Sequence, residues 1–210
     1  SLKYTNKQNA AYDTKNVMFQ PFIIYPLGQK AKLKFDYSIM QTELRNPGLV
    51  GAIITDEVNQ GKITTSSFGY ELTTDTRLYQ LGQKNGFLIK VGQQILGLGG
   101  DNAGLKTKIL AAAQREAFKE EVKFTAVVEA GGLTYSSGNS RVTDRFFLSS
   151  SKMRGFEPDG LGPRECSNKQ CDNGNNDALG GENFTVLRLE AEFPLGLPDE
   201  YGLRGGVFYD

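Results

Sequence analysis

The sequence lacks several features that mark common classes of protein. None of its 210 residues is a histidine, the commonest general base and metal ligand, so Ser-His-Asp and Cys-His catalysis are excluded within this chain. The 24 basic residues are balanced by 24 acidic ones, which leaves no positive excess for holding nucleic acid. We therefore expect no enzyme active site, no cofactor, no metal and no nucleic-acid partner.

Long apolar runs are also missing. No segment approaches the roughly 18 apolar residues that a membrane-spanning helix needs, so an α-helical membrane protein is excluded. A β-barrel is not, because its strands alternate polar and apolar residues and average to a composition like that of a soluble protein. The chain begins at Ser1 without a start Met and stops at Asp210 within a predicted strand, so we expect it to be a fragment.

Alternation of apolar and polar side chains dominates the informative segments. In residues 30–39, Leu33, Phe35 and Tyr37 fall on one face of a predicted strand, and lysines dominate the other. Similar alternation, or a short apolar run between turn residues, predicts strands at 17–25, from 66, from 87, from 122, from 187 and at 202–210. Their lengths suit tilted strands that cross a bilayer, which need roughly 9–11 residues.

The connections between these strands mostly alternate in length. Residues 26–29, 119–120 and 194–201 form short links, whereas 46–62 and 136–182 form long ones. In outer-membrane barrels the periplasmic turns are short and the extracellular loops are long. The pattern therefore predicts which end of each strand faces outwards.

Residues 105–118 are locally ambiguous between helix and strand. The run Ala111-Ala112-Ala113 has strong helix propensity, and Leu105, Ile109 and Ala113 have tolerable helical spacing. We predict a strand because the neighbours on both sides are strands joined by very short links, and a barrel cannot leave a gap in its sheet.

The alternation alone leaves two architectures open. A soluble β-sandwich also alternates inward and outward residues, with the charged face exposed and the apolar face buried. In a membrane barrel the apolar face meets lipid and the charged face lines the lumen. The pattern of side chains is the same in both, so it cannot decide between them.

The segment after Leu133 carries the most specific pattern in the chain. It contains, in order, Arg145-Phe146-Phe147-Leu148, Met153-Arg154-Gly155-Phe156, Gly160-Leu161-Gly162-Pro163-Arg164, Asp177-Ala178-Leu179-Gly180-Gly181, a strand over 184–195, and Gly202-Leu203-Arg204-Gly205-Gly206-Val207-Phe208-Tyr209-Asp210. This order resembles the barrel of the BamA family, the central subunits of the β-barrel assembly machinery of Gram-negative outer membranes. Arg-Gly-Phe resembles the signature of the family's sixth extracellular loop, which folds back into the lumen.

The resemblance is best over residues 62–210 and weaker before them. It implies an all-β fold, an antiparallel transmembrane barrel of which 1–210 supplies about eight central strands of sixteen, with the long extracellular loop at 136–182. The family's POTRA domains and the lateral gate between its first and last strands are then absent from these residues.

The implied function is folding and insertion of other β-barrel proteins into the bacterial outer membrane, without covalent chemistry. The implied partners are unfolded outer-membrane clients, accessory lipoproteins and outer-membrane lipids. Alternatives that share the Arg-Gly-Phe/Tyr loop are TamA and the two-partner-secretion transporters. A passive pore and a soluble carbohydrate-binding sandwich are further alternatives.

Arg154 is the residue on which we base the site prediction. At the tip of an inward loop its planar fork needs carboxylate partners, and strand parity places Glu190 and Asp210 on inward faces. By resemblance, the family's arginine contacts acids at these two positions. Gly155 would allow positive φ or close backbone approach, and Phe156 would pack against the wall.

The two cysteines, Cys166 and Cys171, fall within the same loop. The compartment implied by the resemblance is oxidising, so a disulfide is the leading interpretation. Two free thiols are the alternative, and a metal site is not expected with two cysteines and no histidine.

Overall fold

The fold of the chain is described by a computed structural model. It covers residues 1–8, 12–45, 47–48, 50–77, 85–98, 103–118, 121–166, 176–196 and 201–210. Within these residues the chain consists of antiparallel strands and one short helix. No helix in the described ranges is long and apolar enough to cross a membrane.

Twelve strands and one helix follow one another along the described chain. They are β1 (Leu2–Gln8), β2 (Asp13–Phe19), β3 (Phe22–Pro26), β4 (Ala31–Arg45), α1 (Ala52–Asn59), β5 (Ile63–Asp75), β6 (Gly86–Leu96), β7 (Ala103–Ala117), β8 (Val122–Ser137), β9 (Arg164–Cys166), β10 (Asn176–Ala178), β11 (Asn183–Pro194) and β12 (Arg204–Tyr209).

Ten of these strands form one open antiparallel sheet. Its order is β1-β2-β4-β5-β6-β7-β8-β11-β12, and β3 also pairs with β4. β2 and β3 keep one register against β4, from Phe19 opposite Ile39 to Phe22 opposite Asp36. They are separated only at Gln20 and Pro21, where proline has no N–H to donate. The sheet is therefore a wall of nine strand positions, with β1 and β12 at its edges.

The two faces of this wall differ as the alternation predicts. One face, which we call the outer face, carries partly exposed apolar side chains along every long strand: Phe35, Ile39, Phe68, Leu72, Ile89, Ile109, Phe124, Val128, Leu187 and Leu189. The opposite, inner face carries the charged side chains and is covered by the long loop between β8 and β11. An uncovered apolar face and a polar face beneath a loop are typical of a membrane barrel wall and not of a sandwich.

The main buried core lies at the loop end of the wall and not between two sheets. Ile54 and Val142 are fully buried there, and Tyr12, Leu44 and Leu179 pack around them. These residues come from the two long connections, from strand β4 and from the position directly before β2. The apolar cluster therefore joins the long loops into one cap over the strand ends.

Helix α1 in this cap is absent from the sequence prediction, which has only a loop at 46–62. Its N-terminal N–H groups bind acids of the β9–β10 hairpin: Gly51 N–H donates to Asp177 (2.8 Å) and Ile53 N–H donates to Glu165 (3.1 Å). The positive end of the helix dipole favours such carboxylates. The acids that bind the helix N-terminus lie 112 or more residues away in the chain. The residues next to the helix therefore give no signal that predicts it.

Glu57 connects α1 to the start of the long loop. Its side chain accepts a hydrogen bond of 2.6 Å from the backbone N–H of Val142, and its Oε2 lies 3.6 Å from Nε of Arg141. Burial raises the pKa of the Glu57 carboxyl, although the Val142 N–H and Arg141 oppose the rise. Polar as well as apolar contacts therefore hold the two long connections together.

The strands of the wall agree with the strands predicted from the sequence. The eight predicted strands correspond to β2 with β3, β4, β5, β6, β7, β8, β11 and β12. The ambiguous segment 105–118 is confirmed as strand as far as Ala117, the last residue of β7. Strand β1 was not predicted, and the long loop runs over 138–182 and contains β9 and β10. A total of sixteen strands stays a prediction.

Gly131 on the inner face of β8 has a packing reason to lack a side chain. A Cβ at this position would overlap the Phe184 ring and lie 2.8 Å from Cζ of Phe146. These rings form a tilted pair with centroids 4.9 Å apart. Replacing Gly131 by Ala should therefore overpack the loop base and cost about 1–3 kcal/mol.

The measurement is thermal unfolding of the full-length protein in detergent, followed by its heat-modifiable mobility on gels. Gly92→Ala is the matched control, because a Cβ there meets only ordinary contacts from 3.4 Å. Equal midpoints for the two variants would contradict the packing argument.

Candidate functional site

The long loop leaves β8, crosses the inner face of the wall and returns to β11. Its outgoing and returning arms pair at one bridge, where Phe146 N–H donates to the Gly181 carbonyl (2.8 Å) and Gly181 N–H donates back to Phe146 (2.9 Å). The Phe146 ring packs on Phe184 of β11 and lies 4.7 Å from Nζ of Lys106 on β7. The base of the loop is therefore fixed to two wall strands, β7 and β11.

A tight turn then presents the Arg-Gly-Phe segment to the wall. The backbone N–H groups of Lys152 and Met153 both donate to the carbonyl of Ser149, at 2.9 and 3.1 Å. Gly155 has φ of +85°, a left-handed conformation that glycine adopts without steric cost. A Cβ on Gly155 would meet no atom within 4 Å, so the backbone angle rather than space requires glycine there.

Arg154 is bound to two carboxylates of the wall. Its Nε and Nη2 donate to the two oxygens of Asp210 at 2.8 and 2.7 Å, a bidentate arrangement, and its backbone N–H donates to Asp210 at 2.9 Å. Its Nη1 donates to Oε2 of Glu190 at 2.7 Å. Both predicted partners therefore contact Arg154 at once.

The register of β11 and β12 explains why these partners converge. Glu190 lies opposite Phe208, so both side chains point to the inner face, and Asp210 follows Phe208 by two residues on the same face. The Arg154 guanidinium lies over the Phe208 ring, 3.7 Å from its centroid, which adds a cation–π contact. The Asp210 side chain is 4% exposed, whereas Arg154 and Glu190 are 37% and 36% exposed.

A second group of contacts, which the sequence did not predict, lies beside Arg154. Lys152 Nζ lies 2.7 Å from Oε2 of Glu129 on β8, and Arg188 of β11 binds the other oxygen of Glu129. Arg188 also donates to the carbonyl of Ser151 at 2.9 Å. Parity places Glu129 and Arg188 on the inner face, but no local signal pairs either one with the loop.

The remaining predicted residues have less definite contacts. Met153 is partly buried in the turn, and Phe156, which the resemblance places against the wall, is 43% exposed. Cys166 at the end of β9 is disulfide-bonded, and Cys171 lies outside the described residues. The pairing of Cys166 with Cys171 therefore stays a prediction.

The charged groups of this cluster stay ionised and balance one another in sign. The Asp210 carboxylate, followed by that of Glu190, raises the pKa of Arg154 above its already high value, so the guanidinium stays charged. The three cations Lys152, Arg154 and Arg188 face three carboxylates. The arrangement can hold a loop against a wall through balanced charges.

An antiparallel wall with an apolar outer face, and an inward loop tied to its inner face by an arginine, defines a class of β-barrel membrane proteins. The profile of the Omp85 superfamily domain matches residues 1–210. The chain therefore belongs to the Omp85 superfamily.

Individual relatives agree with this assignment. The chain is 27% identical over 216 residues to the outer membrane protein assembly factor BamA of Neorickettsia risticii (strain Illinois), covering 100% of this chain and 28% of that protein. It is 27% identical over 161 residues to the sorting and assembly machinery component 50 homolog A of Xenopus laevis, covering 75% of this chain and 32% of that protein. The Bos taurus homolog is 29% identical over 152 residues, covering 70% and 30%. The chain thus spans less than a third of each relative.

Asp210 accepts more hydrogen bonds from Arg154 than Glu190 does, so isosteric replacements of the two acids should differ in their effect on the loop. Asp210→Asn weakens a bidentate contact and a bond to the backbone, whereas Glu190→Gln changes one contact of a more exposed side chain. We expect Asp210→Asn to increase the minor undocked population of the loop to a clearly greater extent than Glu190→Gln.

Loop position can be measured by the distance between spin labels at positions 157 and 114 in the full-length protein in nanodiscs. A longer distance population that is as large in Glu190→Gln as in Asp210→Asn would contradict the ranking.

The predicted disulfide can be tested by intact mass. Alkylation without reductant should add no label to Cys166 or Cys171, and alkylation after reduction should add two. Fragment ions that join the two cysteines within one peptide identify the pairing. Labelling of both thiols before reduction would contradict it.

Proposed function

We propose that this chain is part of a barrel that folds and inserts other β-barrel proteins into the bacterial outer membrane. Membership of the Omp85 superfamily and similarity to a protein named an outer membrane protein assembly factor support this function. Similarity to two sorting and assembly machinery components also supports an assembly role. The clients would be unfolded outer-membrane proteins, and accessory lipoproteins and membrane lipids would be the other partners.

The observation that carries the proposal is the charged contact of Arg154 with Glu190 and Asp210. A passive pore needs an open lumen, and a loop tied across the inner face occupies that space. A barrel that acts on client strands needs a wall of defined shape, which an internal tie between the loop, β11 and β12 supplies. The role is non-enzymatic, because the cluster binds through fixed charges and requires no proton transfer.

The mechanism would use the whole barrel. The loop holds β11 and β12 in register from inside while lipid contacts the outer face. Client strands would be guided, and the bilayer locally perturbed, at the seam of the closed barrel. Loss of the Arg154 contact would leave the wall less rigid and would slow insertion.

The test is client insertion by the full-length protein in liposomes, with wild type compared to Arg154→Ala and to the charge-reversing Arg154→Glu. We expect Arg154→Ala to slow client folding, and Arg154→Glu to reduce it nearly to the rate of protein-free liposomes, because the new carboxylate repels Glu190 and Asp210. Arg45→Ala is the control, because this exposed arginine pairs only with its neighbour Glu43 among the described residues. Insertion at the wild-type rate by both Arg154 variants would contradict the proposal.

A further inference from the structure

The contacts of Lys152 and Ser151 are made to different residues of the wall from those of Arg154. Arg154 reaches the β11–β12 edge of the wall through Glu190 and Asp210. Lys152 and Ser151 reach β8 and β11 through Glu129 and Arg188. The two groups share no carboxylate, so loss of one leaves the partners of the other in place.

Glu129 is the centre of the second group. Its side chain is 14% exposed, and its two oxygens bind Lys152 from the loop and Arg188 from the neighbouring strand. Glu129 lies opposite Val186, and Arg188 lies opposite Val127, so Glu129 and Arg188 are diagonal neighbours on the inner face. Arg188 thereby orients the carboxylate that Lys152 binds.

Two further contacts, besides the ion pair with Glu129, position Lys152. Its Nζ lies 4.5 Å from the centroid of the Phe184 ring, and the Ser149 turn fixes its backbone. The same turn presents Lys152 and Arg154 to the wall only two residues apart. A loop detached at Arg154 would therefore remain close to Glu129.

We propose that Lys152, bound to Glu129, is a second and separable attachment that keeps the inward loop docked when the Arg154 contact is lost. The proposal deepens the function proposed above by assigning Lys152 and Glu129 as positioning residues for the loop. It predicts that neither attachment alone is required for docking and that loss of both releases the loop.

The experiment measures the docked fraction by the distance between spin labels at 157 and 114, in the full-length protein in nanodiscs. Variants are Arg154→Ala, Lys152→Met and the two combined. Methionine keeps most of the length of the side chain but removes the charge, and with it the cation–π contact with Phe184. In the Arg154→Ala background, Lys152→Met should lower the docked-to-undocked ratio about tenfold, the factor expected for one charge-assisted hydrogen bond.

Two matched variants separate this effect from general damage. Lys152→Arg in the Arg154→Ala background should keep the loop docked, because it restores the charge. Lys34→Met should have no effect on docking, since Lys34 is an inner-face lysine of equal exposure, 31% against 30%, that pairs with Asp36 on β4. Heat-modifiable mobility confirms that each variant is folded.

The result that overturns the proposal is a double variant Arg154→Ala, Lys152→Met with the same docked fraction as Arg154→Ala alone. Equal loss of docking in Lys152→Met and Lys152→Arg would also overturn it, because the charge would then be irrelevant. Client insertion is measured separately on the same samples. A protein that docks its loop as described but inserts no client contradicts the proposed function and leaves the second attachment intact.

Discussion

The bond between Arg154 and Asp210 is the interaction on which the inner half of the structure depends. Asp210 is almost fully buried, and it accepts hydrogen bonds from Nε, Nη2 and the backbone N–H of Arg154. A buried carboxylate without partners is costly, whereas one with a bidentate arginine is stable. Asp210, which follows β12, therefore relies on the loop for its hydrogen-bond partner. The same bond helps to position the loop against β12.

This interdependence follows from β-sheet geometry. A strand reverses its side-chain direction at each residue, so a one-residue slip of β12 would turn Phe208 and Asp210 to the lipid face, and a one-residue slip of β11 would turn Glu190 there. Antiparallel pairing of β11 with β12 places Glu190 opposite Phe208, and Asp210 continues on the same face. The loop contact thus favours one register of β11 and β12, because no other places both acids and the Phe208 ring around one guanidinium.

Much of the wall and of the Arg154 site could be predicted from the sequence, because side chains alternate between the two faces of a strand. Seven of the nine wall positions follow from alternation or from short apolar runs, an eighth, β7, follows from its strand neighbours, and the inner-face position of Glu190 and Asp210 follows from counting along a strand. The carboxylate partners of Arg154 also needed the family resemblance, since parity places other acids, such as Glu192, on the same face. Local propensity was a poor guide at 111–113, where pairing with β6 and β8 on both sides outweighs the helix preference of alanine.

The parts that could not be predicted depend on contacts between distant segments. Helix α1 needs Asp177 and Glu165 at its N-terminus, and the buried core of the cap combines Tyr12, Ile54 and Val142. Lys152 and Glu129 are 23 residues apart, with a strand end and a loop arm between them. No periodicity connects such pairs, because their proximity exists only after the loop has folded onto the wall.

The zero net charge of the chain has a local counterpart at this contact. On the wall, Arg188 with Glu129, Glu190 and Asp210 gives one positive and three negative charges, a net charge of −2, and Lys152 and Arg154 of the loop supply two positive charges, so docking the loop neutralises this part of the inner face. Glu129 and Asp210 are sheltered, whereas Lys152 and Arg154 from the loop are 30% and 37% exposed. Exposed ion pairs contribute less than buried ones because water can replace either partner. The charges on the loop therefore remain accessible to water, so one bond can open without leaving a fully buried charge on the loop side. Because several such ion pairs attach the loop to the wall, one of them can break while the others keep the loop in place.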